Sequence, residues 1–241
     1  MKLYGLIGKP LKHSFSKAYF TKKFAEEGLA DCRYENFELE SIQDLPTLLQ
    51  QHPQGFNVTI PYKKEVLAYL HAANEIVREI GACNCVKVLD GKLYGYNTDV
   101  IGFQQSLQKS LKPHHKKALV LGTGGSSNAI QYALRKLGIG YQFVSRQKGA
   151  GLITYDELDE AMLQEHLLII NTTPVGMFPN IDAAPPIPYT YLSANHLLFD
   201  LIYNPEKTLF LQKGEAQGAT ICNGHEMLIL QAEAAWDIWN N

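Results

Sequence analysis

The sequence predicts an α/β protein whose sheets are mostly parallel, and three observations support this fold class. Short runs rich in β-branched and aromatic residues alternate, almost throughout the 241 residues, with longer segments in which apolar residues recur at i, i+3 and i+4. Parallel strands joined by helices produce this alternation. A glycine turn at 122–125 stands between an apolar strand and a helix, and a polar break at 112–117 precedes that strand.

The predicted strands are 3–8, 33–39, 56–60, 118–122, 141–145, 167–171 and 196–202. Between the first two strands, Ser14 and Ser16 are candidate N-caps of a helix that runs toward Phe24. A helix is also predicted over 100–111, and another follows the glycine turn and ends at Gly138.

The best internal boundary lies near Asp99, where the helix over 100–111 begins. That helix ends in a polar stretch containing Pro113, and a new series of strands and helices starts at Ala118. The sequence therefore predicts two α/β domains.

Composition and charge exclude several classes of function. With 46% hydrophobic and 19% charged residues, and a net charge of −2, the chain has the composition of a globular protein. Its lysines and arginines are scattered, so neither nucleic acid nor an anionic membrane is expected as a partner. The first apolar run, 3–8, is too short for a signal peptide or a membrane span, and we expect a cytoplasmic protein.

The glycine turn indicates a nucleotide site. Glycines allow the backbone to turn tightly and to approach a pyrophosphate, which then meets N–H groups at the helix N-terminus. Ser127 occupies the third glycine position of the G-x-G-x-x-G motif, so a tight turn that binds nothing remains an alternative. After the next strand, Arg146 stands where an NAD-binding unit would place an Asp or Glu. A guanidinium pairs with a 2′-phosphate, so the sequence favours NADP(H) over NAD(H).

Polar clusters follow strand-like runs in the first hundred residues, and they predict a substrate pocket. In an open α/β sheet, ligands bind at the carboxyl ends of the strands, where such clusters converge. The clusters contain Ser14, Ser16, Asn57, Thr59, Lys63, Asn84, Asn97, Thr98 and Asp99. Each has a structural alternative: the serines could cap a helix, Lys63 could be a solvated charge, and Asp99 could cap the next helix.

The combination of a dinucleotide site with a lysine and a carboxylate favours hydride transfer to a ketone. Negative charge develops on the ketone oxygen, and an acid must supply a proton. No histidine is well placed, so Lys63 is the candidate acid, and Asp99 would keep its ammonium charged and oriented.

Metal catalysis and hydrolysis are not expected. His225-Glu226 lacks a second histidine four positions on, because Ile229 stands there, and no Cys/His cluster has ligand spacing. Gly124-Gly125-Ser126 is not a G-x-S-x-G nucleophile turn.

Several motifs, in the same order along the chain, resemble shikimate dehydrogenases. They are Gly8-Lys9-Pro10 with Ser14-Phe15-Ser16, Asn57-Val58-Thr59-Ile60-Pro61-Tyr62-Lys63, Gly81-Ala82-Cys83-Asn84, Gly95-Tyr96-Asn97-Thr98-Asp99, and Asn223-Gly224 with Met227 and Gln231. The resemblance runs from about residue 5 to 235. It implies NADPH-dependent reduction of 3-dehydroshikimate to shikimate, a step toward chorismate and the aromatic amino acids.

The resemblance also implies the domains and the site residues. An N-terminal α/β substrate-binding domain would comprise 1–98 and 224–241, and a Rossmann-like NADP-binding domain 99–223, with a cleft between them and hinges near 98–100 and 222–224. The catalytic pair falls on Lys63 and Asp99, and the substrate-binding residues are Ser14, Ser16, Asn57, Thr59, Asn84, Tyr203 and Gln231. The cofactor-binding residues are Gly122, Thr123, Gly124, Gly125, Ser126, Ser145, Arg146, Lys148, Thr172 and Gly224.

The sequence departs from the family at several places, among them Ser145 and Gln147, which flank Arg146 where the family commonly has asparagine and threonine. Lys17 and Phe20 stand where the family has proline and histidine, and Cys85 replaces a threonine. Ala150 occupies a position that is often a second arginine, so Lys148 would have to compensate at the 2′-phosphate.

Two alternatives to a shikimate-specific enzyme remain. One is an enzyme that also accepts quinate, and the other is an NADP-binding module of the same fold without turnover. We expect a small-molecule substrate and a monomer or homodimer.

Overall fold

The computed structural model describes residues 1–12 and 14–241, which form two compact units. The first contains 1–98 and 232–241, and the second contains 99–231. The chain therefore crosses between units at Thr98 and again inside its last helix, whereas the predicted domains cross at 224. Within the described residues, every helix is too short or too polar to cross a membrane.

The first unit is built on a mixed sheet with three helices that lie wholly within it. Among the described residues its strands are β1 (Lys2–Gly8), β2 (Cys32–Glu38), β3 (Gly55–Val58), β4 (Ala72–Ala73), β5 (Cys85–Leu89) and β6 (Lys92–Tyr96), and its helices are α1 (Phe15–Glu26), α2 (Leu45–Leu49) and α3 (Glu75–Ile80). The sheet order is β2-β1-β3-β5-β6-β4, with β1 parallel to both β2 and β3. Strand β5 is antiparallel to β3 and to β6.

Aromatic side chains form much of the core of the first unit. Phe20 of α1 stacks on Tyr34 of β2, with ring centroids 4.6 Å apart, and Trp239 stacks on Tyr4 of β1 at 5.0 Å. The Trp239 indole N–H donates to the carbonyl of Val86 at 3.0 Å. These contacts fix residues 232–241 against the sheet of the first unit, because a buried indole needs both the packing surface and a hydrogen-bond partner.

The second unit is a doubly wound parallel sheet. Its strands are β7 (Lys117–Leu121), β8 (Gly140–Ser145), β9 (Leu152–Thr154), β10 (Leu168–Asn171), β11 (Leu197–Asp200) and β12 (Thr220–Cys222). Its helices are α4 (Thr98–Gln108) from Asp99 onward, α5 (Ser127–Lys136), α6 (Glu160–Glu165), α7 (Leu209–Glu215) and the first part of α8 (His225–Asn240). The order β9-β8-β7-β10-β11-β12 is that of dinucleotide-binding folds, with the topological switch between β7 and β10.

The predicted α/β class is confirmed, and the individual strands agree best in the second unit. Its central strands β7 and β10 are buried on both faces, so they read as continuous apolar runs. In the first unit, the prediction of a strand over 56–60 extended too far, because β3 ends at Val58. The sequence interpretation missed β4, β5, β6, β9 and β12.

Candidate active site

Asn57 is buried near the carboxyl end of β3, and both ends of its amide are hydrogen-bonded. Its Oδ1 accepts from the Tyr34 hydroxyl at 2.8 Å, and its Nδ2 donates to the carbonyl of Asn84 at 3.3 Å. Thr59 follows the end of β3, and its backbone N–H donates to Ile7 of β1 at 2.9 Å. The predicted substrate contacts Asn57 and Thr59 therefore emerge where two parallel strands of the first unit end.

Asn84 connects this strand end to the start of α4. Its Oδ1 accepts from the backbone N–H of Thr98 at 2.6 Å, and its Nδ2 lies 3.0 Å from the Thr98 hydroxyl. The neighbouring Asn97 donates to the carbonyl of Ala82 at 3.0 Å. Asn57, Asn84 and Thr98 are thus linked by hydrogen bonds, which hold the backbone immediately before Asp99.

Ser14 occupies the N-cap position of α1 but does not cap the helix with its side chain. Its Oγ is buried and has no hydrogen-bond partner among the described residues. An unpartnered buried hydroxyl costs about 1–3 kcal/mol, so such groups in a folded protein call for an explanation. A ligand oxygen at this position would satisfy the hydroxyl, as the prediction of a substrate contact requires.

Ser16 lies one residue into α1, and its side chain hydrogen-bonds to Tyr34. Burial raises the pKa of Tyr34 well above its usual value, although the contact with Ser16 acts in the opposite direction. Tyr34 is therefore a neutral donor at physiological pH, and it supports Asn57 and contacts Ser16 in the same region.

Lys63 lies in the turn that follows β3, and its side chain is half-buried. The carbonyl of Lys63 accepts from the N–H of Cys83 at 2.8 Å, which ties the turn to the segment before Asn84. Asp99 is half-buried in the first turn of α4. Lys63 belongs to the first unit and Asp99 begins the second, so their pairing stays a prediction.

Tyr203, Gly224 and Gln231 lie in the second unit. Tyr203 is half-buried in the segment after β11, and Gly224 donates to the carbonyl of Ile202 at 3.0 Å. A side chain at Gly224 would collide with the carbonyl of Leu201, so the close approach of these two segments requires glycine. Gln231 is buried on α8, and its Nε2 donates to the carbonyl of Leu228 at 3.0 Å.

The glycine turn after β7 has the geometry of a phosphate-binding turn. Gly122 has a φ of +98°, and a Cβ there would lie 2.7 Å from Cγ2 of Thr173. By contrast, a Cβ at Gly124 or Gly125 would meet open space. Thr123 is exposed beside them, and the N-cap Ser126 makes no side-chain capping bond. The turn and the N-terminus of α5 are therefore open to a pyrophosphate.

The segment after β10 closes one side of this turn. The Thr172 hydroxyl donates to the carbonyl of Leu121 at 2.7 Å. Asn171 is buried, and its Oδ1 accepts from the N–H and the hydroxyl of Thr173 at 3.0 and 2.7 Å. These bonds hold the predicted cofactor residue Thr172 directly against the glycine turn.

The segment after β8 carries the residues predicted for the 2′-phosphate. The Ser145 hydroxyl accepts from the N–H of Gln147 at 3.3 Å, and Arg146 is exposed. Lys148 forms an ion pair with Glu157 at 3.0 Å. The sequence interpretation missed Glu157, because only the parallel pairing of β8 and β9 places it beside this segment.

These residues fit an NADP molecule. Open space over Gly124, the N-terminus of α5 and an exposed arginine after β8 are the features that a phosphorylated dinucleotide requires. Within 1–12 and 14–241, no three His, Cys, Asp or Glu side chains come close enough together to hold a metal ion.

Comparisons with known proteins agree with this arrangement. The family model of the shikimate dehydrogenase substrate binding domain matches residues 6–86. A shikimate dehydrogenase (NADP(+)) from Caldicellulosiruptor bescii is 38% identical, and the similarity covers 99% of this chain and 89% of that protein.

Solved structures extend the comparison to the fold. A shikimate 5-dehydrogenase from Thermus thermophilus, in complex with NADP(H) and shikimate, has a TM-score of 0.87 and 30% identity, covering 99% of this chain and 93% of that one. The ligand-free 5-ketofructose reductase of Gluconobacter sp. has a TM-score of 0.85 and 29% identity, covering 99% and 92%.

Proposed function

This chain belongs to the shikimate dehydrogenase family, and we propose that it catalyses the reversible, NADPH-dependent reduction of 3-dehydroshikimate to shikimate. The observation that carries the proposal is similarity to NADP-dependent shikimate dehydrogenases across 99% of the chain, which includes both units. The activity is that of an oxidoreductase acting on a CH–OH group, in the route to chorismate and the aromatic amino acids.

Lys63 is the proposed proton donor. NADPH, when bound, supplies the hydride that reduces the ketone. Negative charge then develops on the ketone oxygen, and the Lys63 ammonium donates a proton to that oxygen. Asp99 is the proposed partner that orients the lysine toward the reacting oxygen.

The first unit supplies most of the proposed substrate contacts. Ser14 and Ser16 would hold the substrate carboxylate, and the buried Oγ of Ser14, which no described residue hydrogen-bonds, supports this role. Asn57, Thr59 and Asn84 would contact the ring hydroxyls. In the second unit, Tyr203 would assist at the carboxylate and Gln231 would complete the set.

The second unit is proposed to hold NADP(H). The pyrophosphate would lie over Gly122, Thr123, Gly124, Gly125 and Ser126, where N–H groups of the turn and of α5 face it. Arg146, with Ser145 and Lys148, would bind the 2′-phosphate, and Thr172 and Gly224 would complete the cofactor site. A carboxylate at position 146 would repel the 2′-phosphate, so Arg146→Asp should lower the ratio of NADP to NAD turnover.

An absorbance assay at the nicotinamide band tests the function. Shikimate and quinate are each offered with NADP and, separately, with NAD, and 5-ketofructose is offered with NADPH. We expect the highest kcat/KM with shikimate and NADP. NADP binding without turnover of any substrate would instead identify the non-catalytic module.

Comparable kcat/KM values for shikimate and quinate would identify the broader enzyme. Quinate carries an extra hydroxyl at the carbon that bears the carboxylate, and a site built on hydrogen bonds discriminates strongly against a group that it cannot pair. Reduction of 5-ketofructose as the best reaction would contradict the proposal.

Three further features belong to the proposal. The functional domains are 1–98 with 224–241 and 99–223, the protein is a monomer or homodimer, and it acts in the cytoplasm. Sedimentation analysis of the purified chain determines the oligomeric state.

A further inference from the structure

Glu157 is fixed at the carboxyl end of β9, next to the carboxyl end of β8. Thr154 is the partner of Ser145 in the register of these two strands. The Glu157 carboxylate accepts from the N–H of Thr154 at 2.8 Å and from its hydroxyl at 3.1 Å. These two bonds hold the carboxylate beside the segment that carries Arg146.

The same carboxylate engages Lys148. The Lys148 ammonium lies 3.0 Å from Oε1 of Glu157, and the two side chains are 76% and 40% exposed. The N–H of Thr154, the ammonium of Lys148 and the hydroxyl of Thr154 lower the pKa of Glu157 to about 2, so it is ionised at every working pH. Lys148 therefore contributes little net positive charge to this corner of the sheet.

A fixed negative charge at this position repels a 2′-phosphate and so opposes the binding of a nucleotide that carries one. The neighbouring Ala150 supplies no cation, so Arg146 carries most of the binding of a group with up to two negative charges, and Lys148 contributes less than an unpaired lysine would. At physiological ionic strength the screening length is about 8–10 Å, so salt does not fully screen the interaction between charges closer than this.

We propose that Glu157 determines cofactor selectivity: it occupies Lys148 and weakens the preference of the second unit for a 2′-phosphorylated nucleotide. This inference rests on the proposed function, because it assumes that the nucleotide binds over the glycine turn. It predicts that the wild-type protein accepts NAD more readily than a variant in which Glu157 no longer engages Lys148.

Binding of two small nucleotides tests the inference without turnover. Adenosine 2′,5′-bisphosphate and 5′-AMP differ only in the 2′-phosphate, and calorimetry gives a dissociation constant for each. The amide oxygen of Glu157→Gln can still accept from Thr154. In this variant we expect the affinity for adenosine 2′,5′-bisphosphate, relative to that for 5′-AMP, to rise by about three- to ten-fold.

Glu165→Gln is the matched control. Glu165 pairs with Lys117, the first residue of β7, so the pair lies at the opposite end of the same sheet. The substitution removes the same charge from the same kind of ion pair, and we expect it to leave the ratio unchanged. Equal ratios in wild type and Glu157→Gln, or equal shifts in the two variants, would overturn the inference.

Lys148→Gln in both backgrounds tests how Glu157 acts. If Glu157 occupies the lysine, Lys148→Gln should reduce 2′-phosphate preference more in the Glu157→Gln background than in the wild type. Equal reductions would overturn the proposed occupation of Lys148.

Fluorescence titration with NADPH and with NADH distinguishes a failure of the proposed function from a failure of this inference. A wild-type protein that binds neither cofactor would overturn the proposed function together with this inference. A protein that binds NADPH, but whose selectivity is indifferent to Glu157, would overturn the inference alone.

Discussion

Asp200 and Asn171, the last residues of two neighbouring parallel strands, are joined by a hydrogen bond from Nδ2 of Asn171 to Oδ1 of Asp200 at 3.0 Å. The Thr208 hydroxyl donates to Oδ2 of Asp200 at 2.6 Å, and the N–H of Ile202 donates to Oδ1 at 3.0 Å. Because Asn171 also holds Thr173, this buried carboxylate connects the segments after β10 and β11. The predicted cofactor residue Thr172 and the predicted substrate residue Tyr203 lie on those two segments.

Replacing Asp200 should change how stability depends on pH. Burial raises the pKa of Asp200 from 3.8 to about 6, although its three hydrogen bonds act in the opposite direction. Between these values the folded protein holds a proton that the unfolded chain releases. The free energy of unfolding therefore falls as the pH rises from about 4 to 6, by up to about 3 kcal/mol from this group.

Asp200→Asn cannot titrate, so the stability of the variant relative to wild type should rise over the same interval. Urea unfolding at several pH values measures both proteins, and Asp182→Asn, an exposed residue of the same unit, serves as the control. Parallel pH profiles for wild type and Asp200→Asn would show that the carboxylate is already ionised at pH 4.

Gly122→Ala should lower the stability of the fold, whereas Gly124→Ala should lower the affinity for the cofactor. At Gly122 the positive φ and the contact with Thr173 make a side chain unfavourable, and we expect a loss of about 1–3 kcal/mol in the free energy of unfolding. At Gly124 a methyl group meets open space in the protein, so stability should be unchanged.

The Gly124 methyl group would nevertheless obstruct the backbone approach of a pyrophosphate, and NADPH affinity should fall about ten-fold or more. Fluorescence titration measures the affinity. Unchanged NADPH binding by a stable Gly124→Ala variant would place the nucleotide elsewhere.

Lys63→Ala should lower kcat by about 100-fold or more, the usual effect of losing a general acid, with a smaller change in KM. Lys64→Ala is the control, because this substitution removes the same charge from the exposed neighbouring lysine. Steady-state assays with shikimate and NADP measure both variants. A similar kcat in the two would remove Lys63 from the chemistry.

Gly55→Ala should destabilise the first unit. A methyl group at Gly55 of β3 would overlap the indole of Trp239, and a well-packed core has no room to move it, so we expect a cost of about 1–3 kcal/mol. Gly140→Ala, at the first residue of β8, has only ordinary contacts and should cost less. Thermal or urea unfolding compares the two, and an equal effect would argue against tight packing of Trp239.

Local patterns made much of the second unit predictable. The central strands carry continuous apolar runs, and the glycine turn with Arg146 after the next strand indicates a nucleotide site within one βαβ unit. The shikimate dehydrogenase resemblance, confirmed by the similarity of the whole chain, depended on several short motifs in a fixed order.

Three of the missed strands lack such patterns, whereas the hairpin of β5 and β6 carries one. β4, β9 and β12 have two or three residues each, too few for any period to show. β5 and β6 form a hairpin around Asp90 and Gly91, both with positive φ, and the Asp-Gly pair is a strong hairpin signal that could have identified it.

The sequence by itself determined the α/β class, the glycine turn between β7 and α5, the family, and which polar residues follow the strands, because each of these features is carried by short stretches of residues close together along the chain. Only the tertiary structure decided that the hydroxyl of Ser14 is buried with no hydrogen-bond partner in the described part of the chain, that Asp200 joins two strand ends, and that Glu157 meets Lys148. Each of these depends on how strands and helices pack against each other, and burial, pKa and ion pairing arise from that packing.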